Sequence, residues 1–261
     1  MTLFLHEMRV NKWQYIIWSL AVSFMLGISV LIYPEMKSQM NELSEMFSQM
    51  GSFSEAFGMD QLNFGEFLGF FGTECGNTLG MGGGIFAALI GVSVLYKEEK
   101  NGTAEFLLSH PITRSRVACE KLLSIIAQLL IFVSASAAVT ALATVIIGEN
   151  PDTKTMLLIF LAQLFMLIEI SSVCFAVSAF ARKGGIGIGI GISALFYFIN
   201  IIANLTESVE FLKYITPYGY ADCAYIVSES AIDLTKLAIG AAVTLACIAL
   251  AFYRYGKKDI R

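Results

Sequence analysis

The sequence predicts an all-α integral membrane protein with six transmembrane helices. Composition and spacing carry this reading. Of 261 residues 56% are hydrophobic and 15% charged, with a mean hydropathy of +0.70, whereas a soluble domain carries about 25% charged residues. A helix needs about 20 apolar residues to cross the hydrocarbon core. Six runs supply them, at 13–33, 76–96, 122–147, 155–180, 184–203 and 237–253. What remains is too divided for a catalytic domain of even about 100 residues. The whole chain, 1–261, therefore reads as a single transmembrane domain, and soluble chemistry belongs to another polypeptide.

The first run follows Arg9 and Lys12 but is too long for a signal-peptide core, and Tyr33-Pro34-Glu35 is a poor cleavage site, so it reads as a retained anchor. The outer segment 34–75 comes next. Met36, Met40, Leu43, Phe47 and Met50 recur at helical spacing, and Phe53, Phe57, Phe64, Phe67, Phe70 and Phe71 are interleaved with glycines. This pattern suits extracytoplasmic interfacial helices. An outer gate or substrate-contacting lid is one functional reading. A methionine copper site is another, disfavoured because the methionines follow a packing stripe and no histidine lies nearby.

In the second run, Gly80, Gly82, Gly83 and Gly84 point to tight helix packing rather than a flexible segment. The fourth run carries its one acid, Glu169, which must face the bundle interior, a partner or a water-filled cavity, or else be protonated. It is the chain's candidate intramembrane polar site, for a cationic substrate or a proton relay, and a neutral acid hydrogen-bonded to a neighbouring helix is the structural alternative. The fifth run opens on Gly185, Gly187, Gly189 and Gly191, two interleaved GxxxG pairs that let another helix approach. Before the last run, Tyr214, Tyr218, Tyr220 and Tyr225 flank Pro217, and an aromatic belt at the headgroup boundary is the expected role, with a substrate role as the lesser alternative.

Orientation follows from lysine and arginine. Thirteen of the seventeen lie on the side of the termini, and the opposite side holds only Lys37, Lys154, Lys213 and Lys236 against fourteen acids. Both termini are expected in the cytoplasm. The net charge of −4 averages over a basic inner face and an acidic outer one, and no nucleic-acid partner is expected. Five scattered cysteines form no CxxC, and only Cys75 and Cys223 fall on the outer side, where a disulfide is conceivable but unrelated positions are the simpler reading. No GxxxxGK[ST], HExxH or GxSxG occurs, and His6 and His110 lie outside the runs. No catalytic, metal or cofactor site is expected on this chain.

The inner loop 97–121 is the most informative segment. Glu98 and Glu99 close the second run, and Gly102-Thr103 break the chain. Thr103 to Leu108 reads as a short helix capped by Thr103 and stopped by Pro111, and Ile112 to Arg116 starts the next helix. Phe106 with Leu107 or Leu108, set among charges, suits a groove on a soluble partner. An amphipathic turn resting on lipid is the alternative.

At these residues the chain resembles the ABC-2 type permease family, the membrane subunits of bacterial ABC exporters. That family's pattern of Glu, Gly-Thr, Glu, Leu-Leu, Ser, Pro, Arg and Lys is met by Glu98, Gly102-Thr103, Glu105, Leu107-Leu108, Ser109, Pro111, Arg114 and Lys121. Thr216 to Asp222 and Phe252 to Arg261 resemble its Pro-aromatic segment and its basic tail. The resemblance implies a cytoplasmic coupling helix that docks on a separate ATPase subunit, through Glu98, Glu99, Gly102, Thr103, Glu105, Phe106, Leu107, Leu108, Pro111 and Arg114. ATP and Mg would be bound by that partner. It also implies a homodimer or a second permease subunit, an N-terminal elbow helix over Met1 to Met8, and residence in the bacterial cell membrane. A rival from another class is an ATPase-independent channel or proton-coupled carrier using Glu169.

Overall fold

The structure is a computed structural model describing residues 2–37, 62, 65–95, 97–100, 102, 112–181, 185–205 and 207–258. Every regular element among these residues is helical, and six helices are long and apolar enough to cross a membrane. A short α1 (Thr2–Val10) turns at Asn11 into α2 (Lys12–Lys37). The second long helix, Phe67–Ser93, comprises α3 (Phe67–Asn77), a π-helical turn at Thr78–Gly82 and α4 (Gly83–Ser93). There follow α5 (Lys97–Lys100), α6 (Arg114–Ile147), α7 (Thr153–Phe180) and α8 (Gly185–Leu205). Two 3-10 segments, Glu207–Tyr214 and Pro217–Gly219, lead through α9 (Cys223–Glu229) to α10 (Leu234–Lys257).

Local chemistry sets the boundaries. The side chains of Thr113, Asp152, Asp222 and Asp233 each accept a backbone N–H at the start of α6, α7, α9 and α10, relieving the orphan donors of a helix N-terminus. Gly148 closes α6 in the left-handed conformation, with φ 75°, which glycine adopts without steric cost. The second spanning helix starts at Phe67, earlier than the Gly76 expected. Phe67, Phe70, Phe71 and Cys75 share one helical face, and the rings of Phe67 and Phe70 pack 5.3 and 5.2 Å from that of Tyr33. Phe67 to Cys75, expected in the outer segment, thus belong to a largely buried helix. Met40, Leu43, Phe47, Met50, Phe53, Phe57 and Phe64 lie outside the described residues.

Helix α7 packs against both α4 and α10, α2 lies along α6, and α8 rests on α4. Small residues make the central contact possible. A Cβ at Gly91 of α4 would stand 2.5 Å from the backbone oxygen of Ser171 in α7, and one at Gly84 would stand 2.7 Å from the Tyr218 hydroxyl. The glycines of the second run are packing surfaces.

The segment before α10 departs from the expected aromatic belt. Tyr214 and Tyr225 are exposed, but Tyr218 and Tyr220 are buried. Their hydroxyls donate to Gly80 O (3.0 Å) and to Glu169 Oε2 (2.8 Å). Thr216 and Pro217 fold the chain back into the bundle, with the Thr216 hydroxyl on Phe196 O at 3.0 Å. A buried phenol needs a partner for its O–H, and a backbone carbonyl and a carboxylate provide them.

Candidate functional site

The two flanks of the 97–121 loop meet at one end of the bundle, with α1 and the C-terminus of α10. Lys121, in the first turns of α6, is fully buried. Its ammonium donates to Glu7 Oε1 and to Val94 O, each at 2.8 Å, and to the Glu98 carboxylate. A buried ammonium is tolerated only when its three protons are satisfied, and here three different segments satisfy them. Glu7 comes from α1, Val94 from the end of the second spanning helix, and Glu98 from α5. Lys97 stands 3.6 Å from Glu7 and donates to Asn11 Oδ1 at 3.2 Å.

Burial raises the affinity of the Glu7 carboxyl for a proton. The charge and hydrogen bond of Lys121, with Lys97 and His6 beyond, outweigh it and hold Glu7 below the ordinary carboxylate range. Glu7 therefore meets Lys121 as a carboxylate at neutral pH.

A second contact reinforces the first. Glu120 Oε2 accepts the backbone N–H groups of Leu3 and Phe4, at 3.0 and 3.1 Å, while its Oε1 accepts Arg116 Nε at 3.1 Å. A carboxylate from α6 thereby caps the start of α1 and suits the positive end of that helix. Arg114 donates to Gly256 O at 3.4 Å and to Lys258 O, and Lys258 Nζ donates to Ala181 O at 2.8 Å. The ends of α1, α4, α6, α7 and α10 are thus tied together around the base of the loop.

Of the residues expected to contact a partner, Glu98 and Arg114 sit in this base. Glu99 has its backbone in α5, and Gly102 adopts φ 68°. Thr103, Glu105, Phe106, Leu107, Leu108 and Pro111 lie outside the described residues. Glu7, Lys97, Asn11 and Lys258 joined the cluster unannounced. The one signal for Glu7 was its position as the sole acid before the first span.

Inside the bundle, Glu169 of α7 is 3% exposed and faces α10. Tyr220 Oη donates to its Oε2 at 2.8 Å, and a Cβ at Gly240 of α10 would collide with the same oxygen. The carboxyl therefore fills a slot that glycine opens in the facing helix. At the end of the bundle away from the termini, Cys75 and Cys223 are free, buried thiols on the packed helices α3 and α9.

Comparison with known proteins adds one finding. The family model described as ABC-2 family transporter protein matches residues 1–260. No curated protein matches the chain.

Proposed function

The chain belongs to the ABC-2 family of transporter proteins and is a multi-pass permease component of an ABC transporter; from that premise we propose that it forms the translocation pathway of an exporter and takes its energy, through the 98–116 loop, from a separate ATPase subunit. The observation that carries this reading is the Glu7–Lys121–Glu98 cluster around a fully buried Lys121. A loop that receives force must be anchored to what it moves. Each flank of this loop is clamped to α1 and to the end of α4 by a cation whose removal would leave buried Glu7 and half-buried Glu98 without it. A push on the loop would be passed to α6, α4 and α1 together rather than absorbed by local bending.

Several further assignments belong to the same reading. The end with the termini faces the cytoplasm of a bacterial cell, in keeping with thirteen basic residues on that side. The α1 segment acts as an elbow helix along the inner leaflet, and ATP and Mg bind to the partner. The pathway forms between two six-span subunits, either two copies of this chain or this chain and a second permease.

Co-purification with the ATPase encoded beside it tests the proposal. Glu98→Ala and Leu107→Ala should weaken the complex and lower ATP-driven export. Unchanged assembly and export in both variants would defeat the coupling role.

A further inference from the structure

At the end of the bundle away from the termini, a cavity of about 60 Å³ lies between α3, α7, α8 and the start of α9. Its wall carries the amides of Asn77, Gln163 and Asn200 and the hydroxyl of Tyr197. Gln163 is 1% exposed. Its Nε2 donates to Ala221 O at 3.3 Å and to the Cys223 sulfur at 3.7 Å, but its Oε1 has no donor among the described residues. A buried acceptor without a donor is costly, and a donor group entering the cavity would relieve that cost.

The charge of the lining narrows that group. Among the described residues no lysine, arginine or histidine lines the cavity, and the one charged residue is Asp222, whose Oδ1 accepts from Ala224 N at 2.9 Å. An anion would be desolvated here beside a carboxylate, with nothing to neutralise it.

A larger apolar cavity of about 190 Å³ adjoins it, lined by Met81, Ile85, Ile190, Ala194 and Phe198. Tyr197 and Tyr218 line both, their rings edge to face with centroids 5.6 Å apart. Tyr197 Oη is held on Asn77 Oδ1 at 3.2 Å, and Tyr218 Oη on the Gly80 carbonyl within the π-helical turn. Met81, Ile190 and Phe198 are exposed on the flank of the bundle, so the apolar compartment opens sideways, where hydrocarbon lies in a membrane.

We propose that the two compartments form one binding site for an amphipathic molecule with a hydrogen-bond-donating head that carries no negative charge. A hydroxyl or amide group sits against Gln163 in the polar compartment, the chain lies along the apolar one, and the Tyr197–Tyr218 pair marks the boundary. The idea that this molecule is cargo rests on the permease reading. Its binding does not.

The test uses the chain in lipid nanodiscs without ATPase, with 1-decanoylglycerol, decyl sulfate and decyltrimethylammonium as probes, and isothermal titration corrected for empty nanodiscs. The glycerol ester is expected to bind saturably and at least about tenfold tighter than either charged probe, with Gln163→Leu weakening it about tenfold by removing one hydrogen bond and Ala194→Trp abolishing it. Binding no different from empty nanodiscs, a preference for either ion, or indifference to Gln163→Leu would overturn the site. Should Gln163→Leu fail to fold, the wild-type protein still decides. The glycerol ester should slow N-ethylmaleimide alkylation of Cys223, read peptide by peptide, and decyl sulfate should not; equal rates would overturn the proposal. Lost binding with an intact ATPase complex defeats this site alone, and lost coupling with intact binding defeats the transport reading alone.

Discussion

Lys121 and Glu98 are bonded to each other across the base of the 98–116 loop, 23 residues apart in sequence. Both belong to the pattern by which the chain resembles its family. Their pairing gives that pattern a physical reason, because an ammonium buried at the head of α6 demands an acid from the other flank. The loop is thus closed on itself before it meets any partner. Replacing Lys121 with Met keeps the volume and deletes the charge, leaving Glu7 and Glu98 without their main counter-ion. The expected cost is about 3–5 kcal/mol, seen as a large fall in melting temperature of the nanodisc-embedded protein. The triple change Lys121→Met, Glu98→Gln, Glu7→Gln should recover much of it. A loss under about 1 kcal/mol for the single change would show that the cluster does not clamp the loop.

The same cluster sets a pH dependence. Glu7 has its carboxyl held below the ordinary value of 4.5 in the folded chain. A depressed carboxylate contributes stability that is fully present above the unfolded value and is lost as pH falls through the folded one. Melting temperature should therefore show no contribution from Glu7 titration between pH 7 and 5 and should decline below about pH 4.5. Glu7→Gln should flatten the acid limb, and an acid limb of unchanged slope in that variant would assign the decline to other groups.

Much of this architecture was legible in the sequence, and the exceptions share a cause. The six apolar runs mark the spanning helices because a bilayer requires about 20 residues of hydrocarbon in sequence, a local signal. The start of the second helix was missed at Phe67 to Cys75 because glycines dilute the run there, and the burial that makes it a helix comes from Tyr33, far away in sequence. Tyr218 and Tyr220 carry a composition that suits a membrane boundary. Their destinations, Gly80 and Glu169, lie on two other helices and leave no mark in the local pattern. Glu98 and Lys121 were visible as residues. That they bond to each other and to Glu7 is a tertiary fact.

The glycines divide into two kinds that behave oppositely on mutation. Gly91 has a carbonyl of α7 at 2.5 Å from the position of a Cβ, and Gly189 has Val92 Cγ1 at 2.8 Å, whereas nothing lies within 4 Å of Gly187. Gly91→Ala forces two backbones apart and should cost at least about 1–3 kcal/mol. Gly187→Ala fills open space in a helix and should be neutral or stabilising by up to about 1 kcal/mol, unless a second subunit packs there. Melting curves of the two variants, with cross-linking to report association, separate these outcomes. A destabilised, dissociated Gly187→Ala would place the permease interface on that face of α8.

Glu169 and Tyr220 provide the sharpest division between a structural and a proton-carrying acid. Tyr220 Oη donates to Glu169 Oε2 at 2.8 Å in a slot opened by Gly240. Tyr220→Phe removes the donor and leaves a buried carboxyl oxygen unmatched, at an expected cost of about 1–3 kcal/mol. Glu169→Gln retains an oxygen for the same hydroxyl and should cost less. With the two changes combined, the penalty should fall short of the sum, since both act on one bond. For function, the anchoring role predicts that Glu169→Gln leaves ATP-driven export by the assembled complex within about twofold of wild type, a barrier change under about 0.5 kcal/mol. A carrier that moves a proton on this carboxyl would instead stop, because an amide cannot take up and release one. Transport in proteoliposomes, driven once by ATP with the partner present and once by a pH gradient without it, reads both. Export abolished by Glu169→Gln while assembly and ATP hydrolysis persist would overturn the anchoring role and give the acid a part in translocation itself.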